Sequence, residues 1–428
     1  MLDIKLIREK PELVRENLKR RLDPSVLENF EKVLKIDKEW RKVIQELNEL
    51  RKRKNEINFE IIRLKKEGKD IREIVREMHE LPDKIKELEN KESQLKEELD
   101  SSLMRLPNLL DDSVPFGKDE KDNVEIRRWG KPTDFKFKPK NHVEILTKLG
   151  IFDGERGAKV AGNGFFYNKE ELALLDMVLQ KFAIDFLRKR GYKLINPPYL
   201  MRRKPYEGVT DLSDFENVMY KIEGEDLYLI ATSEHPIAAM FMDEVIDKKD
   251  LPLKFCGISP CFRKEVGSHG KYTKGLFRMH QFHKVEQFIF CLPEDSWKYH
   301  EELQKNTEGI LKMLGLSHRV VNVCTGDIGT VAAKKYDTEI WMSDGEYREV
   351  ASNSNCTDYQ ARRLNIKYRE VEGQPPKGFV HTLNSTGLAT SRVMIAIIEQ
   401  NQQEDGSVVI PEVLRDYMDG VEKLEIRD

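Results

Sequence analysis

Two heptad runs separated by six residues constrain this chain more than any other feature. In the first, Val33, Ile36, Trp40, Val43, Leu47, Leu50, Ile57, Ile61 and Leu64 recur at three- and four-residue steps, broken only by Lys54. In the second, Ile71, Ile74, Met78, Leu81, Ile85, Leu88, Leu95 and Leu99 do the same, broken by Glu92. As helix, each run is roughly 50 Å long. The intervening KKEGKD, residues 65–70, contains Gly68 and is too short for anything but a tight reversal. The sequence therefore predicts an antiparallel helical hairpin over about residues 31–99, with a kink or interruption at Pro82. A two-helix hairpin has a single apolar seam, so it can project from a body without burying its outer faces. The seam leaves a dimerisation coiled coil open. Arg51, Lys52, Arg53, Lys54, Lys65 and Lys66, placed toward the turn, give weight to an RNA-binding arm.

The chain's 428 residues exceed one ordinary core, so two domains are expected. Charged residues make up 35% but the net charge is only -3, which excludes a global positive field and confines any nucleic-acid contact to local patches. No apolar run is long enough for a bilayer, and MLDIKLIREKPELVREN reads as a charged helix without a signal-peptide core. A cytoplasmic protein is expected. The cysteines, Cys256, Cys261, Cys291, Cys324 and Cys356, lack zinc-type spacing and read as ordinary buried thiols.

Residues 101–130 are rich in proline, glycine and charge, which suggests a connector at 111–135 between an N-terminal domain, 1–110, and a larger one, 136–428. The latter opens with a helical stretch at 171–191 and continues with strand-like runs at 226–234, 254–263, 284–290, 318–324 and 338–342. This pattern predicts an α+β body, a mainly antiparallel sheet with helices packed on it. Neither a Rossmann glycine motif after a strand nor a P-loop is present. One segment stands out, GISPCFRKEVGSHGKYTKGLFRMHQFHKVEQFIF from Gly257 to Phe290. Two strands enclose a loop carrying Arg263, Lys264, Glu265, Lys271, Lys274 and Arg278, with Gly267, Gly270 and Gly275 between them. Basic side chains at firmly held strand ends are well placed to meet a polyphosphate.

The ordered blocks GYKLINPPYL, TSE, FRKEVGSHG, FRMHQFHKVEQF, EVASNSNCTDYQARR and HTLNSTGLATSR resemble the seryl-tRNA synthetase family, and the hairpin resembles that family's tRNA-binding arm. The resemblance spans essentially the whole chain. It implies a class II aminoacyl-tRNA synthetase of the common zinc-free type, with an antiparallel sheet flanked by helices, a homodimer, and ATP used with Mg²⁺. The implied reaction is activation of L-serine to seryl-adenylate and pyrophosphate, then transfer to the terminal adenosine of tRNA(Ser), and of tRNA(Sec) where present. Pro197 and Pro198 would lie near the subunit interface.

By the same resemblance, Arg263 meets the α-phosphate, and Arg278 and Arg392 hold the distal phosphates. Phe282 stacks on adenine with Arg392 over the other face, and Glu265 reads the adenine amino group. Lys264, Val350 and Ala351 complete the ATP site. Glu349 and Ser352 fit the Mg²⁺ position, a task for hard oxygen donors. L-Serine would be bound by Thr232, Ser233, Glu234, Arg263, Glu286, Asn384 and Thr386. The chemistry needs no protein nucleophile, since serine's own carboxylate attacks the α-phosphorus. The protein's work is to hold two anions together, which suits the arginine fork.

The chain departs from the family at Ser233, where alanine is usual, at Thr386 in place of serine, and at Asn353 where cysteine is frequent. These departures bear on amino-acid choice more than on ATP chemistry. His235, His269, His280, His283 and His381 read as scaffold or loop residues, and no zinc is expected. The runner-up reading is a non-catalytic tRNA-binding paralogue, disfavoured because Arg263, Glu286, Glu349 and Arg392 are all present.

Overall fold

The computed structural model describes residues 1–211, 217–265 and 275–426. It contains two compact units, Met1–Pro107 and Asn108–Asp428.

In the first unit, α1 (Ile4–Glu9) and α2 (Pro11–Lys19) precede two long helices, α3 (Pro24–Lys66) and α4 (Arg72–Met104). Asp23 starts α3 by accepting a hydrogen bond from the Ser25 amide, with Pro24 at the first helical position. The reversal is a Schellman cap: Gly68 is left-handed (φ 66°), its amide bonds Lys65 O, and the Lys69 amide bonds Leu64 O. The expected seam is present, with Val43, Leu47 and Ile85 buried together and Leu50, Leu88 and Leu95 packed against them. A polar cross-link spans the helices at both heptad breaks, made by the breaking residue itself only at Glu92. Glu92 accepts the Trp40 indole N–H at 2.8 Å, and beside Lys54 the Arg53 guanidinium grips Glu77 with two 2.8 Å bonds. The kink or interruption expected at Pro82 gives no break in α4, which runs through it as one helix. The hairpin helices also extend beyond 31–99. Below the seam, buried Asp37 accepts from Arg8 and, at 2.9 Å, from Arg41.

The second unit is built on an eight-stranded sheet of β1 (Val124–Trp129), β2 (Lys193–Ile195), β3 (Leu253–Phe262), β4 (Gln281–Cys291), β5 (His318–Asn322), β6 (Lys334–Trp341), β7 (Tyr347–Asn355) and β8 (His381–Ala389). The spatial order is β1-β5-β6-β7-β8-β4-β3-β2, antiparallel throughout except for β2 beside β3. The α+β expectation holds. The stretch 111–135, expected as a connector, supplies β1, and Asp111 at its start is bonded through its amide to Ala333 O. Its exposed, charged character is that of an edge strand.

Helices α5 (Glu170–Arg188), α7 (Ser296–Met313) and α8 (Thr390–Gln400) share one apolar core with a face of this sheet, while the short α6 (Glu234–Ala238) lies at the other side. Strand parity decides which side chains go where. On β4, Val285 and Ile289 enter the helix-packed core and Gln287 donates to Leu303 O of α7, whereas Phe282, Lys284 and Glu286 take the opposite face. The run 226–234, expected as a strand, is one only at Tyr228–Leu229. Thr232 ends it, because its Oγ1 accepts from the Glu234 amide and turns the chain into α6.

Candidate active site

An open cleft of about 530 Å³ lies on the face of the sheet away from the shared helical core. Its floor is β4, β7 and β8, and its rim is formed by the ends of β3 and α8. The β3–β4 hairpin is held in register to its end, Phe262 opposite Gln281, and continues as Arg263 N–H donating to His280 O at 3.0 Å. Lys264 N–H donates to Val218 O. Residues 266–274, with Gly267, His269, Gly270, Lys271 and Lys274, lie outside the described residues.

At one end of the cleft the Arg263 guanidinium lies 5.3 Å from the centroid of Phe282 and touches the protein otherwise by a long bond to Ala231 O, 3.4 Å. Arg392, on the first turn of α8, donates to Glu349 O at 2.9 Å and Oε1 at 3.3 Å, with its guanidinium over Phe277. Ser352 Oγ donates to Glu349 Oε1 at 3.2 Å. Three positions apart on a regular strand, Glu349 and Ser352 would face opposite ways. A bulge on β7 inserts Val350 as the extra residue, so that Glu349 pairs with Glu339, Ser352 pairs with Asp337, and both face the cleft. The surrounding protein desolvates the Glu349 carboxyl and pushes it up, although its side chain keeps 46% exposure, and Arg392, Lys335 and the Ser352 hydroxyl outweigh that effect and hold it below its ordinary value.

At the other end two carboxylates meet. Glu286, 1% exposed, pairs with Lys284 and receives the Thr232 hydroxyl at 3.4 Å. Glu234 receives the amide groups of Asn384 (3.0 Å) and Gln360 (3.3 Å). Burial and the nearby Glu286 charge push the Glu234 carboxyl above its ordinary value, against the pull of Lys284 and Arg263. Thr386 stands opposite Glu286 on β8.

The structure thus gathers Thr232, Glu234, Arg263, Glu265, Phe282, Glu286, Glu349, Val350, Ser352, Asn384, Thr386 and Arg392 around one cleft. Some expected residues sit elsewhere. Ser233 packs its side chain against Gly257, where even an added Cβ would come within 2.7 Å of its Oγ, and that hydroxyl has no hydrogen-bond partner among the described residues. Ala351 lies in the apolar core, on the other side of the bulge from Glu349. Lys264 reaches over Tyr220, and Arg278 lies 3.7 Å from Glu265; both are at the root of the loop rather than on the cleft wall. Of the three departures, Ser233 and Asn353 point away, Asn353 donating to His300 O of α7. Only Thr386 faces the cleft.

Sequence reasoning missed Lys284, Gln360 and Phe277. Lys284 could have been found, since it alternates with Phe282 and Glu286 along one strand face. His283 bonds Asp176 at 2.7 Å and His235 bonds Tyr206, consistent with scaffold roles. On the arm, Arg51 is paired with Glu89 and Arg53 with Glu77, so these two are cross-links between the helices rather than free cations; Lys52 is 3.8 Å from Glu56. Lys54, Lys65 and Lys66 are exposed. So is Phe59, at 76%, with Ile62 beside it, an apolar step the heptad reading passed over.

Two family models match the chain: the seryl-tRNA synthetase N-terminal domain over residues 1–110, and the tRNA synthetase class II core domain (G, H, P, S and T) over residues 218–401. A serine-tRNA ligase from Methanocella arvoryzae is 56% identical, covering 99% of this chain and 100% of the relative. Among solved structures, seryl-tRNA synthetase from Pyrococcus horikoshii complexed with ATP superposes with a TM-score of 0.97 at 48% identity, covering 100% of both chains. The cytoplasmic serine-tRNA ligase of Naegleria fowleri in complex with AMP gives 0.89 at 38% identity, covering 100% of this chain and 99% of the other.

Proposed function

The chain belongs to the seryl-tRNA synthetase family, and on that premise we propose how its cleft and arm divide the work of a serine-tRNA ligase. The reaction activates serine with ATP and passes it to tRNA. One observation carries the assignment of parts: a single cleft holds cations and an aromatic ring at one end and a pair of carboxylates at the other. ATP lies at the first end, its adenine on Phe282 and its phosphates against Arg263 and Arg392, with Glu265 at the base edge. Serine lies at the second, its ammonium and hydroxyl met by Glu234, Glu286, Thr232 and Asn384. Arg263, beside Phe282 and near enough to influence Glu234, is the residue to meet the α-phosphate as serine's carboxylate oxygen attacks the phosphorus and pyrophosphate leaves. Fixed charges aimed at the transferring group lower the barrier because they need no reorganisation.

Mg²⁺ fits the donors Glu349 and Ser352, both hard oxygens that the β7 bulge aims into the cleft. Among the described residues no three His, Cys, Asp or Glu side chains converge as a cage. The ion would therefore be shared with the ATP phosphates, whose charge it would offset. Alanine and glycine are rejected because they leave buried polar groups unpaired; threonine must be excluded by shape, a task that falls to Thr386 and Asn384.

The arm docks on tRNA(Ser), and on tRNA(Sec) where it exists, through Lys52, Lys54, Lys65 and Lys66 with Phe59 exposed among them. The body forms a homodimer at its β2 edge, where Leu194 is 46% exposed and Tyr199 and Leu200 are exposed beside Pro197 and Pro198. No helix among the described residues is long and apolar enough to cross a membrane, and with ATP and tRNA as substrates the protein works in the cytoplasm. ATP-pyrophosphate exchange with serine, threonine, alanine and glycine side by side tests this reading. Serine-dependent exchange is the expected result, and its absence with every amino acid would point to a binding-only paralogue.

A further inference from the structure

The cleft wall that carries Glu349 and Ser352 has another carboxyl group behind it. Asp337 on β6 stands directly opposite Ser352 on β7, so both side chains leave the sheet on the same face. Asp337 is 5% exposed; its Oδ2 lies 3.5 Å from the Lys335 ammonium, and its Oδ1 has no hydrogen-bond partner among the described residues. A buried polar atom left unsatisfied loses the hydrogen bonds water would give it, so this one calls for a donor in some state of the molecule. Ser352 is the hydroxyl across the strand pair, already near enough to Asp337 to ease the burial of that carboxyl, while its geometrically well-formed bond goes to Glu349 Oε1.

A serine hydroxyl has one proton and two lone pairs. If its oxygen is to ligate a cation, the proton must turn away from that charge, and Glu349 must give up the oxygen it now offers the hydroxyl. The proton then needs a different acceptor. We propose that Asp337 Oδ1 is this acceptor, which makes Asp337 a positioning residue that orients Ser352 Oγ toward the Mg²⁺ of the ATP complex. This rests on the assignment of Glu349 and Ser352 to that ion. Lys335 keeps the carboxyl in place, since its ammonium lies 3.5 Å from both Asp337 Oδ2 and the Asp327 carbonyl oxygen. The arrangement matches a general rule that ligand orientation is fixed by outer partners, whose loss costs about 10- to 100-fold in metal affinity.

The test is Mn²⁺ binding to the full-length protein with α,β-methylene-ATP, followed by electron paramagnetic resonance of free Mn²⁺. S352A and D337V should each weaken binding about 10-fold or more, and the double variant should be no weaker than S352A alone. D337N, which keeps an acceptor oxygen, should recover part of the loss. Affinity for the nucleotide without metal should stay as in the wild type. Wild-type Mn²⁺ affinity in D337V beside a weakened S352A would overturn the role of Asp337, as would effects that multiply in the double variant. Wild-type affinity in S352A would overturn the metal assignment, and this inference with it. Thermal melting checks each fold; if D337V does not fold, D337N takes its place in the same cycle, where multiplying effects again overturn the proposal.

Discussion

Replacing Arg263 by alanine separates catalytic from structural roles because so little of the fold depends on that side chain. Its contacts to the described protein are a 3.4 Å bond to Ala231 O and the face of Phe282 at 5.3 Å. A bond that long contributes little, and an accessible cation–aromatic pair is worth about 0.5–1 kcal/mol. Stability should therefore fall by only about 1 kcal/mol, a shift of a few degrees in melting temperature. In the transition state the same guanidinium is proposed to meet the reacting phosphate, where a charge-assisted bond is worth about 1.5–3 kcal/mol, or about 10- to 150-fold in rate. A second effect runs through the cleft, because Arg263 is one of the charges that pull the Glu234 carboxyl down. Its loss should push that carboxyl further up and shift the pH dependence of serine use to higher pH. R263K keeps the charge without the fork and should fall between the two. The assay is pyrophosphate exchange at saturating ATP and serine, with melting measured on the same preparation. Exchange within twofold of wild type would refute the assignment. A melt lowered by more than ten degrees or so would show that the side chain holds the structure instead.

Glu234 is held above its ordinary value, and its proposed contact with the serine ammonium requires it ionised, so the KM for serine should fall as pH rises through that raised value; E234Q should flatten the profile. Glu399, fully buried on α8, accepts from the amide and ring of His142 and from the amide and hydroxyl of Ser343. Burial opposes its charge, but the His142 bonds win and its value is lowered. Its contribution to stability is thus present above about 4.5 and lost as pH falls through the lower folded value. E399Q should cost about 3 kcal/mol in urea unfolding at neutral pH and reduce the acid-side slope. S233A, which removes the orphan hydroxyl facing Gly257, should raise stability by about 1 kcal/mol and leave the serine-to-threonine ratio in exchange unchanged; a changed ratio would mean that Ser233 reaches the pocket. Excising residues 48–83 and closing the ends with a glycine-serine turn should preserve serine-dependent exchange but lower tRNA charging at least tenfold, and undiminished charging would rule out the arm as an RNA contact.

The hairpin was legible because a 3.5-residue period and one glycine leave few alternatives. Its polar interruptions were not, because whether Glu92 breaks a seam or clasps Trp40 depends on what lies across the helix pair. Likewise β3 and β4 could be read from alternation, whereas β1 was hidden by its charge, which suits an edge strand and a linker equally. The site's membership followed from the resemblance, but the direction of each side chain did not. Ser233 and Ala351 fail as cleft residues because a turn and a bulge reset the parity of their strands, and neither leaves a mark in composition. Lys284 was overlooked because a lysine beside a glutamate on a strand usually belongs to a solvated face. Here both are buried, at 7% and 1% exposure.

Phe282, Lys284 and Glu286 share one face of one strand, so under the proposed assignment of parts β4 becomes a ruler between the two substrates. Successive same-face residues are about 6.8 Å apart, so about 13–14 Å separates the aromatic platform from the carboxylate. That spacing is set by the peptide backbone and does not depend on side-chain packing. Amino-acid choice can therefore drift by replacing the residue at the far mark while the nucleotide end stays calibrated. A one-residue insertion between the marks would do the opposite, turning one end into the helical core and leaving neither substrate within reach of the other.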